Sequence, residues 1–388
     1  MSVIVATKEE VQEYYESDAL GQSKLKLLLG DLGSFHKEFD SSAEHFMIGS
    51  AVDCILTNSL EAFNEEYYIS EVDKLPSETV IEILKLVYED VLQDYAEHLE
   101  VITGQDNFLP VTSFHEFVGE LGNWRAYILD ACEKTGWQPR WGADAKLKNI
   151  VEPSSAYFLD LCLGLGKTVI SQTQNNTIKA IVYSLQTNPR TASFFDREFY
   201  SDMPLYTMYY QFPIYFEYHG VNCKALLDMV FVERDEEGRI LNILGTDLKT
   251  MNGNTFYFPS SVRARRYDIQ AAWYTLALHK HFAVPEGSDV IKPFQFVVES
   301  TSYQGKPLNF IVDSSLLNMG RFGKKALTLV DTNLFTEGAQ NATLQQSVLG
   351  FEQLLDLYIY HSENGFTEER EIQEAGLKPL VINWDGVI

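Results

Sequence analysis

Basic residues are scarce in this chain. Lys and Arg number 30 against 55 Asp and Glu in 388 residues, a formal net charge of −25 at pH 7. A protein that coats nucleic acid carries an excess of cations, so the total argues against broad nucleic-acid binding. Cysteine is sparse too: Cys54, Cys132, Cys162 and Cys223 are scattered, with no C-x-x-C pair. That argues against a disulfide scaffold or a zinc ribbon and fits a reducing cytoplasm. No run of about 18 apolar residues is present, so no spanning helix and no membrane partner are expected. The opening MSVIVATKEEVQEYYESD has no basic segment and turns acidic at once, unlike a secretory signal. Internal repeats, low-complexity tracts and long linkers are missing as well. What is present is 45% hydrophobic and 13% aromatic, enough to bury a sizeable core in one large domain or two.

The charge is unevenly spread. KTGWQPRWGADAKLKN holds Lys134, Arg140, Lys146 and Lys148 against one acid, Asp144, and a second cluster comprises Arg263, Arg265 and Arg266. Acid concentrates near residues 9–18 and 363–374. A local basic groove on an acidic body is compatible with this pattern.

Apolar periodicity predicts short helices over the first 45 residues, with Gly30 and Gly33 breaking SKLKLLLGDL. FMIGSAVDCILTNSL reads as a buried helix. A longer one follows over 75–102, started by Ser77 and Glu78. SFHEFVGELGNWRAYILDACEKTG is helix-rich, and QNNTIKAIVYSLQTNPRTASFF is helical up to Asn188-Pro189. From about 204 the character changes. PLYTMYYQFPIYFEYHG, NCKALLDMVFVERDEEGR and ILNILGTDLKT are rich in Tyr, Phe, Val and Ile and separated by turn signals, which predicts an antiparallel meander. A helix over 262–283, two more strands and two C-terminal helices complete the reading. The expected fold is α/β (α+β): a central mixed sheet with an antiparallel meander, flanked by helices. We expect a single domain over 1–388, with a helical insertion at 75–150 and the sheet with its following helix at 204–315.

Three residues carry the chemistry. Asp228 lies in the second meander strand; Asp247 and Lys249 lie in the third, two apart and therefore on one face. Two carboxylates and an ammonium at one point suit a hard cation with oxygen ligands and a Lys that orients or activates water. Gln270 and Tyr274, four apart, share a face of the following helix. Gly164-Leu165-Gly166-Lys167-Thr168 imitates the end of a P-loop, but Leu161 stands where the pattern requires Gly, so no ATP site is expected.

The ordered series GSAVD (Gly49–Asp53), Glu217, ALLD ending in Asp228, DLK (Asp247–Lys249) and YDIQAAWY resembles the PD-(D/E)XK nuclease superfamily. Within it, the Q-x-x-x-Y helix is similar to that of RecB-like exonucleases, especially the exonuclease VIII type of phages and prophages. The likeness runs over about residues 20–315. It implies a restriction-endonuclease-like core, with Asp228 and Asp247 as metal ligands and the Leu248 backbone carbonyl as a third. Lys249 would position or deprotonate the attacking water, or stabilise charge on the phosphate. Glu217 matches an upstream acidic ligand position. Asp53 stands where many relatives carry His, and an Asp also suits Mg²⁺ or Mn²⁺. Gln270 would sit beside the catalytic strand, Tyr274 near the DNA path, and Arg263, Arg265 and Arg266 on phosphate. Some relatives hold an iron–sulfur cluster through Cys residues near the C-terminus; no Cys follows Cys223 here, so none is expected.

The function implied is an ATP-independent, metal-dependent exodeoxyribonuclease acting 5′ to 3′ on linear duplex DNA in phage-type recombination or DNA processing. The implied setting is the cytoplasm (the host's, for a phage protein), with a ring-shaped homo-oligomer and a single-strand annealing protein as partners. A structure-specific endonuclease of the same fold and a catalytically silent DNA- or protein-binding member remain as alternatives. The charge of −25 favours the last.

Overall fold

Three long runs of aromatic and β-branched residues build the sheet, and their order follows from their turns. A computed structural model describes residues 2–30, 35, 44–72, 74–102, 124–164, 167–195, 205–330 and 342–366. In chain order the elements begin β1 (Ser2–Val5), α1 (Lys8–Glu16), α2 (Gln22–Lys26), α3 (Glu44–Asp53), α4 (Leu60–Glu66), β2 (Tyr67–Ile69) and α5 (Glu78–Ile102). They continue with α6 (Trp124–Lys134), α7 (Ala143–Leu163), β3 (Thr168–Ile170), α8 (Gln172–Thr187) and α9 (Ala192–Phe195). Then come β4 (Tyr206–Tyr218), β5 (Val221–Arg234), β6 (Ile240–Met251), α10 (Phe258–Arg265), α11 (Tyr267–His281), β7 (Gln295–Ser300) and β8 (Leu308–Ile311). The last are α12 (Ser314–Phe322), β9 (Lys324–Val330), β10 (Ala342–Val348) and α13 (Phe351–Asn364). Two compact units result: Met1–Phe39 with Ser184–Ile388, and Asp40–Tyr183.

The first unit is mixed α/β, with a six-stranded sheet in the order β1-β4-β5-β6-β7-β8. The meander β4-β5-β6 is antiparallel, as its turns predict. His219 and Gly220, both with positive φ, join β4 to β5 in a two-residue hairpin. β6 and β7 run parallel, so a crossover must join them, and α10 with α11 supply it. β8 returns antiparallel to β7.

Two expectations are corrected. The N-terminus opens with a strand rather than a helix: Ser2–Val5, rich in β-branched residues, pairs parallel with β4. The long helix predicted over 262–283 is two helices. Arg266 between them adopts φ 51° and ψ 49°, a left-handed conformation that costs an L-residue about 1–2 kcal/mol. Its guanidinium is held by Asp268, with Nη2 to Oδ2 at 2.9 Å, and by the Leu349 carbonyl at 2.6 Å.

Helix α11 is buried on nearly every side, which explains why its sequence shows no polar face. Trp273 donates its indole N–H to the Lys224 carbonyl of β5 at 3.0 Å and packs edge-on to Phe351 of α13. Gly245 in β6 lets α11 approach closely: a Cβ there would lie 2.8 Å from the Leu278 side chain.

The second unit combines helices α3 to α7 and most of α8 with the short parallel pair β2 and β3. Ile83, Leu84 and Val87 of α5 pack with Ile128 of α6 and with Ile150 and Phe158 of α7. The expected insertion at 75–150 falls in this unit, with 103–123 outside the described residues. The helix expected around Gly49 is present as α3 and runs on into a π-turn at Cys54–Asn58.

Candidate functional site

The β5–β6 ladder runs from Arg234↔Ile240 to Met229↔Thr246 and stops. The next residues along the two strands are Asp228 and Asp247, so both carboxylates stand where the strands part. Continuing the register sets them opposite each other, and opposed residues of an antiparallel pair share a face. Beyond this point β6 pairs with β7, leaving the Leu248 amide without a β5 partner. Asp228 replaces that partner: its Oδ2 accepts from Leu248 N–H at 2.8 Å. On its other side the β4–β5 register passes from Tyr210↔Met229 to Phe212↔Leu227, skipping Asp228 together with Gln211 of β4, a buried residue with φ 49°. Left-handed non-glycine residues of this kind cluster at functional sites.

The edge of β5 freed by the fork is taken by Leu20, which bonds Asn222 and Lys224 through its backbone. Helix α2 starts two residues later and carries Lys26 toward the fork. Lys26 Nζ lies 3.5 Å from the Arg265 carbonyl and 5.8 Å from the centre of the Tyr267 ring. Lys249 Nζ lies 5.2 Å from the same ring. The sequence reading missed Lys26, Tyr267 and Gln211. The apolar spacing of SKLKLLL is a helix signal, and nothing in it marks Lys26 as facing an acid more than 200 positions away.

Asp247 is 1% exposed. Gln270 Nε2 donates to its Oδ1 at 2.7 Å. The Lys249 ammonium lies against Oδ2, a buried oxygen with no hydrogen bond of regular geometry. Burial pushes the Asp247 carboxyl above its ordinary range, and Lys249 draws it partly back. Burial lowers Lys249, but Asp247 and Asp228 outweigh it and hold the ammonium above its usual pKa. Lys249 is thus a cation in this arrangement. Lys26 goes the other way: burial, reinforced by the charge of Lys249, lowers it to about 8.

Tyr274 is placed differently from the expectation that it lies along a DNA path. It is 6% exposed, packs its ring 6.0 Å from Phe294, and offers no surface to a large ligand. Burial, then Tyr14 and the two Asp residues, push its hydroxyl well above the ordinary range, so it stays protonated in reach of Gln270. The Q-x-x-x-Y pair thereby supports Asp247 from within the core. Glu217 is not brought to the fork. It pairs with Asn222 near the hairpin tip, six positions from Asp228 along β5, or about 20 Å at strand rise. Arg266 is committed to Asp268 and Leu349, whereas Arg263 and Arg265 are exposed on α10. Asp53 belongs to the second unit, as the last residue of α3.

In the second unit, the basic stretch around Lys134 is partly neutralised. Lys134 contacts Asp130 at 2.8 Å and Asp90 at 3.4 Å, and Arg125 meets Asp144 at 2.6 Å. The P-loop-like stretch lies between α7 and β3, so a strand follows where a P-loop requires a helix; Leu165 and Gly166 are outside the described residues.

Among the described residues no group of three or more His, Cys, Asp or Glu side chains converges as a metal site. The donors at the fork still fit a hard cation. Mg²⁺ retains several waters and is commonly held by one or two carboxylates together with substrate phosphate. Asp228 and Asp247 supply all-oxygen donors, and the buried Oδ2 of Asp247 lacks a regular hydrogen bond.

No family model matches the chain, and no curated protein does. Among solved structures, one named "Putative exonuclease", from Eubacterium rectale, aligns over 81% of this chain and 80% of that one. The identity is 13% and the TM-score 0.38, too low to carry an argument about this chain. Among the described residues no helix is long and apolar enough to cross a membrane.

Proposed function

We propose that the chain is a metal-dependent deoxyribonuclease of the PD-(D/E)XK type, with exonucleolytic hydrolysis of linear duplex DNA as its activity. The observation that carries this reading is the fork itself, where Asp228 and Asp247 face each other with Lys249 against the buried oxygen of Asp247. Asp228, Asp247 and the Leu248 carbonyl would hold Mg²⁺ or Mn²⁺. A bound divalent cation supplies the charge that polarises a scissile phosphate and favours ionisation of water. The protein's own groups do the rest. Gln270 fixes the Asp247 carboxylate through Oδ1. Lys249, held as a cation, orients the attacking water and offsets negative charge developing on the phosphate. Lys26 adds a second ammonium beside the same Tyr267 ring. Together such contributions must supply much of a barrier reduction on the order of 20 kcal/mol. Polarity from 5′ to 3′, independence from ATP, a ring-shaped assembly, an annealing partner and a role in phage recombination in a host cytoplasm belong to the same proposal. They rest on the resemblance alone.

The test is degradation of linear against closed circular duplex DNA with Mg²⁺, by wild type and by Asp247→Asn and Lys249→Ala proteins verified as folded by circular dichroism. Degradation of linear DNA alone, lost in both variants, is expected. Cleavage of closed circles would replace the exonuclease by the endonuclease reading. A folded wild type that cuts no DNA with Mg²⁺ or Mn²⁺ would end the nuclease reading.

A further inference from the structure

Three large rings stand exposed on ordered loops beside the fork: Phe256, Tyr257 and Tyr303, at 70%, 69% and 65% exposure. They come from the segment after β6 and from the β7–β8 connection. These two loops are bonded into one surface. Thr301 N–H donates to the Met251 carbonyl at 2.9 Å, Thr255 Oγ1 donates to the Lys306 carbonyl at 3.2 Å, and the Ser302 and Asn252 side chains meet. Phe256 and Tyr257 lie in a 3-10 turn capped by Asn254, whose Oδ1 accepts from Phe256 N–H at 3.0 Å, and Thr255 and Phe258 on either side are buried.

The segments that carry these rings are also free of acids. No acid occurs between Asp247 and Asp268 or between Glu299 and Asp313, in a chain with 55 acids. The first interval contains Lys249, Arg263, Arg265 and Arg266, and the second contains Lys306. The acids that bound the intervals are occupied. Asp247 faces Lys249, Asp268 binds Arg266, Glu299 is fully buried, and Asp313 caps α12 through Leu316 N–H. Arg263, Arg265 and Lys306 remain exposed. The surface is also continuous with the fork, because Met251 lies two residues beyond Lys249 on β6.

We infer that Phe256, Tyr257 and Tyr303 form a stacking platform for unpaired bases of a DNA strand, with Arg263, Arg265 and Lys306 on its phosphates. Stacking needs only flat faces and tolerates any base, as an enzyme that degrades DNA regardless of sequence requires. The inference rests on the nuclease reading for its biological meaning, but the binding it asserts can be measured without cleavage.

The experiment is fluorescence anisotropy of the full-length protein with fluorescein-labelled oligothymidylate, in EDTA to prevent hydrolysis. Replacing all three rings by Ala is expected to weaken binding at least about tenfold, and replacing them by Trp to preserve it. Arg263→Ala and Arg265→Ala should each lower the salt dependence of binding, log K against log[salt], by about 0.7. The inference is overturned if wild type does not bind the oligonucleotide, as for a surface that docks another protein, or if the triple Ala variant binds as tightly as wild type. Ring-dependent binding without metal-dependent cleavage would uphold the platform while removing the nuclease reading. Cleavage with binding indifferent to the rings would do the reverse.

Discussion

Lys26→Met should make the protein more stable and less active. In the fold, Lys26 is half-buried and its ammonium is disfavoured, with a pKa of about 8 against an ordinary 10.5. The difference, 10.5 − 8 = 2.5, corresponds to about 3 kcal/mol of penalty for holding the charge at neutral pH. Methionine keeps the straight apolar stem and removes the charge. A domain of 150–250 residues gains roughly 2–4 °C in Tm per kcal/mol, so a rise of several degrees is expected. The sign with pH is definite. Between about pH 8 and 10.5 the unfolded chain keeps the Lys26 proton that the folded chain has lost, so wild-type stability from this group rises with pH. The advantage of Lys26→Met is therefore full below pH 8 and fades toward 10.5. Urea unfolding of both proteins in EDTA across that range measures the difference directly, since other groups cancel between them. A variant less stable than wild type at pH 7, or an advantage independent of pH, would refute the placement of Lys26 beside Lys249. DNA affinity should fall at the same time, the pattern of a residue kept for function at a cost in stability.

Other substitutions test the geometry of the fork. Glu217→Ala should leave nuclease activity within about twofold of wild type, because the hairpin tip lies about 20 Å along β5 from Asp228; a large loss would return Glu217 to the site. Gly245→Ala adds a methyl 2.8 Å from Leu278 and 3.1 Å from the Phe294 ring. It should cost about 1–3 kcal/mol in chemical denaturation and reduce cleavage further by displacing Gln270 from Asp247. Unchanged stability and rate would mean that α11 does not depend on close contact there. Arg266→Gly relieves a left-handed residue worth about 1–2 kcal/mol but strands Asp268, a loss of about 3–5 kcal/mol, so net destabilisation of about 1–4 kcal/mol is expected. A rise in Tm would show that the Arg266–Asp268 pair contributes little.

Why some of this was legible in the sequence and some was not follows from the range over which each signal acts. The meander was legible because β4, β5 and β6 are long, aromatic and β-branched, and joined by short turns that leave one pairing. Asp247 and Lys249 share a face by strand periodicity alone, whereas the place of Gln270 beside the catalytic strand is implied by the resemblance and not by helix spacing; its Nε2 donates to Asp247. Strand pairing also explains the misplacement of Glu217. Its distance from Asp228 depends on hairpin register, and the two-residue turn at His219-Gly220 puts the acid at the tip. The break at Arg266 is invisible locally, since nothing in VRARRYDIQ forbids a continuous helix; it is enforced by Asp268 and a carbonyl 83 positions away. The resemblance implies Tyr274 near the DNA path; the Q-x-x-x-Y spacing itself reports which residues share a helix face, not which way that face points. The face points into the fork, where the Gln is exposed to the carboxylate and the Tyr is sealed behind it. For the nuclease we propose, aromatic residues that meet DNA must then come from elsewhere, and Phe256, Tyr257 and Tyr303 stand exposed beside the fork on two segments free of acids. In an acidic chain, a surface that binds DNA is better sought where acids are missing than where cations are numerous: Lys134 sits in a cation-rich stretch yet is neutralised by Asp90 and Asp130, whereas Arg263, Arg265 and Lys306 have no acid beside them in sequence.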